Sequence, residues 1–461
     1  MSNYSPPDKM SQIEIRATAG LAIVYGLRML GMFIILPVFA FYAESLPGEN
    51  NYTLIGIALG SYGLTQAILQ IPFGWLSDHI GRKPVIYLGL ILFALGSFIA
   101  ASADNIYWII LGRIIQGSGA ISAAIMALAA DLTREEHRTK AMASIGMTIG
   151  TVFALSLIIA PTLNNLIGVP GIFIMTGVLA ILAILVVYKI IPNPQFSRFH
   201  SDTEAAPRRF ANVLKDSELL RLNFGVFTLH ATLMVLWLIV PTSLRKAGLE
   251  IDDHWQIYLP VLFISMLLII PIIIYSERKI KLKPVFSLAV LTLLVSQSLL
   301  ALTLDSIPGM VVALLVFFAA FNLLEASLPS LISKISPIDA KGTAIGIYSS
   351  IQFLGTFTGA TAGGYIYEYY GSSALFAFCS ILLALWLILA ITMKTPAAVR
   401  TKIYHIKEME AGKANKLSHE LVSLNGVHEA LVLANERVAY LKVDMHGFDE
   451  AKVAQILERE V

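Results

Sequence analysis

Run after run of about twenty mostly apolar residues, each long enough to cross the hydrocarbon core of a bilayer, fills this chain between residues 17 and 393. The expected bounds are 17–43, 53–77, 85–103, 106–131, 138–163 and 170–191. Beyond a polar stretch they are 222–243, 255–276, 284–304, 308–334, 342–369 and 373–393. Backbone N–H and C=O groups find no partners in lipid, so such runs must be helical. Only 14% of residues are charged against 56% hydrophobic, where a soluble domain carries about 25% charged residues. The expected fold is therefore an all-α membrane protein of twelve transmembrane helices, with lipid bilayer as its main partner. A net charge of +2 offers no field for nucleic acid. One cysteine, Cys379, excludes an intramolecular disulfide. The polar N-terminal segment reads as no removable signal peptide.

Placement of the cations sets the expected orientation. With the N-terminus inside, the cytoplasmic loops hold Arg82 and Lys83; Arg134, Arg138 and Lys140; Arg198, Arg208, Arg209, Lys215 and Arg221; Arg278, Lys279, Lys281 and Lys283; then Lys334 and Lys341. The opposite loops hold only Arg245 and Lys246. Positive loops stay cytoplasmic during insertion, so both termini are expected there, and the number of spans must be even.

The halves echo one another. Arg138-Thr-Lys-Ala opens the fifth span and Lys341-Gly-Thr-Ala the eleventh, and charged loops follow the second span (79–83) and the eighth (277–283). Parallel six-span halves suit a transporter that rocks about a midplane site. The expected organisation is 1–191 as the first bundle, 192–221 as a central cytoplasmic loop, 222–393 as the second bundle and 394–401 as a linker. Residues 402–461 form a small soluble domain. Strands are expected at 402–406, 427–433 and 437–443, with helices at 412–424 and 448–460 and a turn at Asn435-Glu436. This β-α-β-β-α order resembles a ferredoxin-like domain without its last strand.

The strongest local pattern is Gly74-Trp-Leu-Ser-Asp78-His-Ile-Gly81-Arg82-Lys83-Pro84. Gly81 permits a tight reversal. Asp78 can face a neighbouring helix N-terminus, and Arg82 can reach a carboxylate at the same depth. Asp131, an acid at a helix C-terminus, needs a cation, and Arg82 is the expected one. A second pattern is Arg113-Ile-Ile-Gln116-Gly-Ser-Gly-Ala120 in the fourth span. As one straight helix, that span would place Arg113 and Asp131 five turns apart on one face, roughly 27 Å along the axis.

With these two motifs the chain resembles the major facilitator superfamily over residues 17–393. It matches the superfamily's signature loop at Gly74, Asp78, Gly81, Arg82 and Lys83 and departs at His79, where the family usually has Arg. The resemblance implies that Asp78, Arg82 and Asp131 form a charge cluster latching the N-terminal bundle in the outward-facing state. Antiporter members carry a Gly-rich fifth helix ending in Gly-Pro; here the step is Ala160-Pro161. The soluble domain, with the segments 27–33 and 321–326, resembles a bacterial branch that carries a ferredoxin-like cytosolic domain after the twelfth helix. Such domains are similar to heavy-metal-binding modules, but their Cys pair is absent, and His405, His419, His428 and His446 lack ligand spacing. No metal is expected. A regulatory ligand or partner at this domain fits the pattern.

Polar groups inside apolar spans mark ion or substrate paths. Those here are Arg28, Arg113, Gln116, His230, Asn322 and Glu325. Glu325 and Asn322 stand at i, i+3 on one face, and desolvation of a mid-span carboxylate favours its protonated form. No nucleotide-binding loop occurs, so an ion or substrate gradient supplies the energy, with the proton as the expected coupling ion and no cofactor. The sequence thus reads as a secondary transporter of a bacterial inner membrane, a proton-coupled exporter (antiporter) of an unidentified small molecule. A symporter or facilitator of the same fold, or a non-transporting sensor signalling through the soluble domain, also fits. No nucleophile–base or metal constellation points to an enzyme.

Overall fold

The computed structural model describes residues 9–47, 51–193, 210–278, 282–337, 340–395, 399–407, 409–434, 438–444 and 447–459. Arg198, Arg208, Arg209, Lys279, Lys281, His446 and the expected Asn435-Glu436 turn lie outside them.

Helices dominate, and ten among the described residues are long and apolar enough to cross a membrane. The first half comprises α1 (Gln12–Phe33), α2 (Phe39–Ser45), α3 (Tyr52–Ile80), α4 (Arg82–Ala101), α5 (Ile106–Gly117), α6 (Ser122–Leu132) and α7 (Glu135–Lys189). A short α8 (Phe210–Lys215) leads to the second half: α9 (Ser217–Lys246), α10 (Trp255–Arg278), α11 (Leu282–Thr303), α12 (Ile307–Ile335) and α13 (Lys341–Thr392). The sequence punctuates these elements itself. Ser11 and Glu14 form a reciprocal cap on α1, and Asn51, Asn105, Asp216 and Ser306 accept first-turn N–H bonds of α3, α5, α9 and α12. Large apolar side chains such as Leu166 and Leu302 remain exposed around the bundle, as lipid contact requires.

Two helices are far longer than a bilayer is thick. A continuous helix of 55 residues, as in α7, would run roughly 80 Å at 1.5 Å per residue. Each is interrupted by a glycine of positive φ, Gly168 (67°) in α7 and Gly371 (77°) in α13, where the chain leaves helical geometry.

Two expected single spans are broken instead. The first gives α1 and α2, separated by residues 34–38 around Pro37, whose missing N–H cannot continue the ladder. The fourth gives α5 and α6, separated by residues 118–121. Here Gly117 and Gly119 press so close to the backbones of Tyr62 and Gly89 that a Cβ would overlap their carbonyls. Gln66 donates to the Gly117 carbonyl at 2.6 Å, and Gly117 is the last residue of α5, where the helix leaves carbonyls without partners. The five-turn alignment of Arg113 with Asp131 therefore does not hold. Part of the expected central loop is also helical, since α8 and the start of α9 fall within 210–221.

The C-terminal element is a small α/β unit: β1 (Val399–His405), α14 (Ala411–Val422), β2 (Val427–Leu433), β3 (Val438–Asp444) and α15 (Glu450–Arg459). Its sheet order is β1-β3-β2, both pairings antiparallel. β1 starts within the stretch expected as linker. Ala439, Leu441 and Val443 pack with Leu421 and Val453. The alternate residues Val438, Tyr440 and Lys442 are buried as well. Lys442 Nζ lies 3.0 Å from Glu429 and donates at 3.3 Å to the carbonyl of Ser336, the C-cap of α12. A cation at a helix C-terminus is favourable, so this contact ties the sheet to the bundle. Lys442→Ala is expected to leave both parts folded while speeding hydrogen exchange across 399–405 and protease cleavage after residue 395. Unchanged exchange would show that the docking rests elsewhere.

Candidate functional site

The end of the bundle carrying Arg82, Arg134 and Lys341 is its basic end. There Gly81 takes φ 99°, closing α3 and opening α4 in one step. That reversal turns Arg82 back onto the last turn of α3, where it pairs with Asp78 and donates to Ser77 at 3.0 Å. Its Nε reaches Asp131 Oδ2 of α6 at 3.2 Å. Arg82 is 3% exposed and the Asp131 side chain is fully buried. Lys83 donates at 2.6 Å to the carbonyl of Ile191, beyond α7. The signature residues thus join α3, α4 and α6 and lie within one half. Removing the guanidinium leaves two facing acids, one fully buried. Arg82→Ala is therefore expected to destabilise the protein by about 3 kcal/mol or more, and Asp131→Asn by less. Thermal melts in detergent check the order, and an Arg82→Ala melt equal to wild type would contradict it.

At the opposite, far end the two halves meet. Arg245 lies 3.2 Å from Glu44 and 4.7 Å above the Phe41 ring. Tyr52 N–H donates to Glu368 at 2.8 Å, and the Tyr52 and Tyr367 rings stand edge-on at 4.5 Å. Inward from this seal, α3 and α13 cross antiparallel at van der Waals limits. A Cβ on Gly364 would overlap the Tyr52 carbonyl and one on Gly56 the Ala360 carbonyl. Gly60 opposes Phe357, and Gly63 opposes Phe353. Continuing the same register brings Gln70, Gly74 and Asp78 opposite Gly346 and Gly342. There a cavity lies between them, lined by Gln70, Gly74 and Asp78 on one side and Gly342, Ile345 and Ser349 on the other. Its remaining lining includes Tyr25 and Ser122. The bundle is closed at its far end and parted at its basic end.

Buried polar residues fall into two groups. In the first half, Arg28 donates to Ser122 Oγ at 3.1 Å, and the Tyr25 hydroxyl lies 3.2 Å from the same oxygen. Arg113 donates to Gln116 at 2.7 Å and lies 4.7 Å over the Tyr62 ring, while Gln116 donates to Ser97 at 2.9 Å. At 2% exposure Arg113 is enclosed by protein. In the second half, His230 Nδ1 faces the Val226 carbonyl at 3.1 Å, so it carries the proton and leaves Nε2 as an acceptor. The Gln352 amide donates to Nε2 at 2.7 Å and lies 3.5 Å from Glu325 Oε1; His230 and Glu325 are 3.7 Å apart. Asn322 donates instead to Ser265 of α10 at 3.1 Å. The Glu325 side chain is 38% exposed as a whole, but its Oε2 is buried with no hydrogen-bond partner, so one carboxylate oxygen is desolvated as the sequence suggested.

Gln352, Ser122 and Gln70 belong to these groups and were not singled out from sequence. Their signal was available, since each is a polar residue in an apolar run, but nothing local tells a cavity-facing glutamine from a packed one.

An apolar helical bundle in two halves, sealed at one end and holding titratable groups mid-span, defines a multi-pass membrane transporter. The sequence profile of the Major Facilitator Superfamily matches residues 21–280 and 222–415, and the chain belongs to that family, of transporters rather than enzymes. It is 43% identical over 452 residues to the inner membrane transport protein YajR of Escherichia coli (strain K12), covering 98% of this chain and 99% of that one. The multidrug resistance protein MdtH of Aeromonas hydrophila is 27% identical over 76% of this chain and 87% of its own. Among solved structures, a bacterial homologue of the human lysosomal transporter Spinster, inward-facing and occupied, superposes with a TM-score of 0.67 at 12% identity. That match covers 83% of this chain and 97% of that one. The human organic anion transporter MFSD10 superposes at 0.61, with 20% identity over 84% and 100%. At these identities the two structures speak to the fold alone.

Proposed function

We propose that the protein is a secondary active transporter that exports a small molecule across a bacterial inner membrane in exchange for protons. One observation carries this: α3 and α13 touch from the far end to Gly63 and Phe353, then diverge around a cavity. A helix pair built to part at one end and close at the other is what alternating access needs. With ten candidate spans, one of them α5 and α6 together and two others interrupted at Gly168 and Gly371, the chain crosses twelve times. The basic end is cytoplasmic, so the cavity opens inward, and the ferredoxin-like domain and both termini lie on that side.

Proton coupling is assigned to Glu325, His230 and Gln352. In the arrangement present, the Gln352 amide nitrogen lies 2.7 Å from His230 Nε2 and 3.5 Å from Glu325 Oε1. A proton delivered through Glu325 to His230 Nε2 turns that nitrogen into a donor. The Gln352 amide must then rotate to offer its carbonyl, and His230 pairs with Glu325. This exchange of partners links α9, α12 and α13, and α13 forms one wall of the cavity. Ser349, on that wall, is one turn of α13 below Gln352. The direction of transport draws support from the relative named as a multidrug resistance protein. Proteoliposomes under an imposed proton gradient test the reading, with a compound that raises the protein's melting temperature as the probe. Outward movement of the compound with inward proton flow is expected; flux without proton movement would leave a facilitator.

The signature loop acts in the opposite half of the cycle. The pairs around Arg82 are already made with the far end closed, so they brace the bundle in this state too. Asp78, at the cavity wall facing the first turn of α13, gains that helix N-terminus only when the basic end closes. Asp78→Asn is expected to enrich the inward-open form, and label distances across the basic end that match wild type would refute it. The Lys442–Ser336 contact favours one other reading, a sensor whose soluble domain reports the state of the bundle. Substrate flux separates the two.

A further inference from the structure

The first half buries two guanidinium groups without an acid to match them. Arg28 and Arg113 are each 2% exposed. The buried acids of that half sit at the basic end and already face cations, Asp131 facing Arg82 and Glu14 facing Arg134 at 2.9 Å, and the partly exposed Asp78 pairs with Arg82 as well. Among the described residues no carboxylate approaches Arg28 or Arg113. Nε and Nη2 of Arg28 and Nε of Arg113 have no hydrogen-bond partner. A buried cation in this condition is unfavourable unless an anion completes it.

The cavity leads to one of the two. Tyr25 and Ser122 line it, and Ser122 Oγ is the atom that Arg28 holds. Ser122 is also the first residue of α6, the helix that restarts after the break at 118–121. Its N-cap, Ile121, has no side chain to cap the first turn. Ser122 and Ala123 of that turn line the cavity. The first N–H groups of a helix and the positive end of its dipole favour an anion. An uncapped helix start and a buried guanidinium with two unpartnered nitrogens therefore meet at Ser122, on the cavity wall.

We propose that this spot binds the transported molecule through an oxyanion, a carboxylate or phosphate, held by Arg28, the Ser122 and Tyr25 hydroxyls and the first turn of α6. The substrate class is then an organic anion. This rests on the transporter reading and adds the chemistry of the cargo to it. Charge sets the preference: a neutral amide of the same shape lacks the partner Arg28 requires, and a cation is repelled by Arg28.

Thermal unfolding of the full-length protein in detergent, titrated with acetate, benzoate, naphthoate, phosphate and benzyl phosphate beside benzamide and benzylamine, tests the site. At least one oxyanion is expected to raise the melting temperature saturably, with its amide or amine counterpart inert. Arg28→Gln is expected to weaken that affinity at least about tenfold, as loss of a charge-assisted bidentate contact does. Should Arg28→Gln fail to fold, Ser122→Ala, which keeps the guanidinium, is expected to weaken it by a smaller factor. No oxyanion effect, an equal effect of benzamide, or undiminished affinity in both variants would overturn the proposal. None of those results touches the transporter reading, which is judged separately by label distances across the two ends. An immobile bundle would remove that reading whatever binds.

Discussion

Gly56→Val and Gly364→Val are expected to hold the far end of the bundle open. Each glycine meets the partner backbone directly, Gly56 at Ala360 and Gly364 at Tyr52, so no side-chain movement can make room. The clash exists only while the far end is closed and vanishes when the helices part. It is therefore a differential term between the two states, the only kind that moves a conformational equilibrium. Overpacking of this sort costs about 1–3 kcal/mol, a shift of about 5- to 150-fold in population. Transport should fall with it, because a state that cannot be reached breaks the cycle. Gly→Ser at Gly150, where a Cβ has open space around it, serves as the control. Distances across the far end that stay at wild-type values in both valine variants would show that the crossing does not set the gate.

Glu325→Gln is expected to abolish dependence of transport on the proton gradient while leaving a folded protein. The amide keeps the shape of the carboxylate but cannot carry a proton. The stability loss should stay under about 1 kcal/mol, because the side chain is 38% exposed and its contacts with His230 and Gln352, at 3.7 and 3.5 Å, are long. The ratio of transport with and without a gradient should fall to about one, the limit of zero coupling. A structural acid gives the reverse pattern, a large loss of stability with coupling intact in what survives. Transport still driven by protons in a stable variant would remove Glu325 from the pathway.

Most of this architecture is legible in the sequence because lipid imposes a simple rule. Twenty apolar residues must be helix, and basic loops must stay on one side. The signature loop was equally legible, since Gly81 needs its positive φ and Asp131 needs a cation. The strands and helices of the soluble unit follow from alternation and amphipathic spacing. What escaped is tertiary. The break at 118–121 arises where another helix approaches too closely for a regular turn, as Gly89 does to Gly119, and no local pattern records that approach; the break at 34–38 falls at Pro37, a signal present in the sequence but masked by the apolar run around it. The pairing of Gly56, Gly60 and Gly63 with α13 was hidden because small residues are frequent in every span. Gln352 looked like any glutamine until folding set it between His230 and Glu325. The linker proved shorter than expected because Val399 and Arg400 pair with Asp444 and Val443, 45 and 43 residues away in sequence, and partners so distant leave no local signal.

The central claim is that one bundle opens alternately at its two ends and that protons bias the choice. Spin-label distances test it directly. Tyr107 and Leu302 are exposed on opposite halves at the far end, Tyr188 and Leu220 at the basic end. Cys379 is fully buried and takes no label. Cysteine pairs at these positions, measured in lipid nanodiscs at acidic and alkaline pH, should show two populations at each end. One end should lengthen as the other shortens when pH changes, and Glu325→Gln should freeze the ratio. A single pH-independent distance at both ends of the wild-type protein would contradict the account.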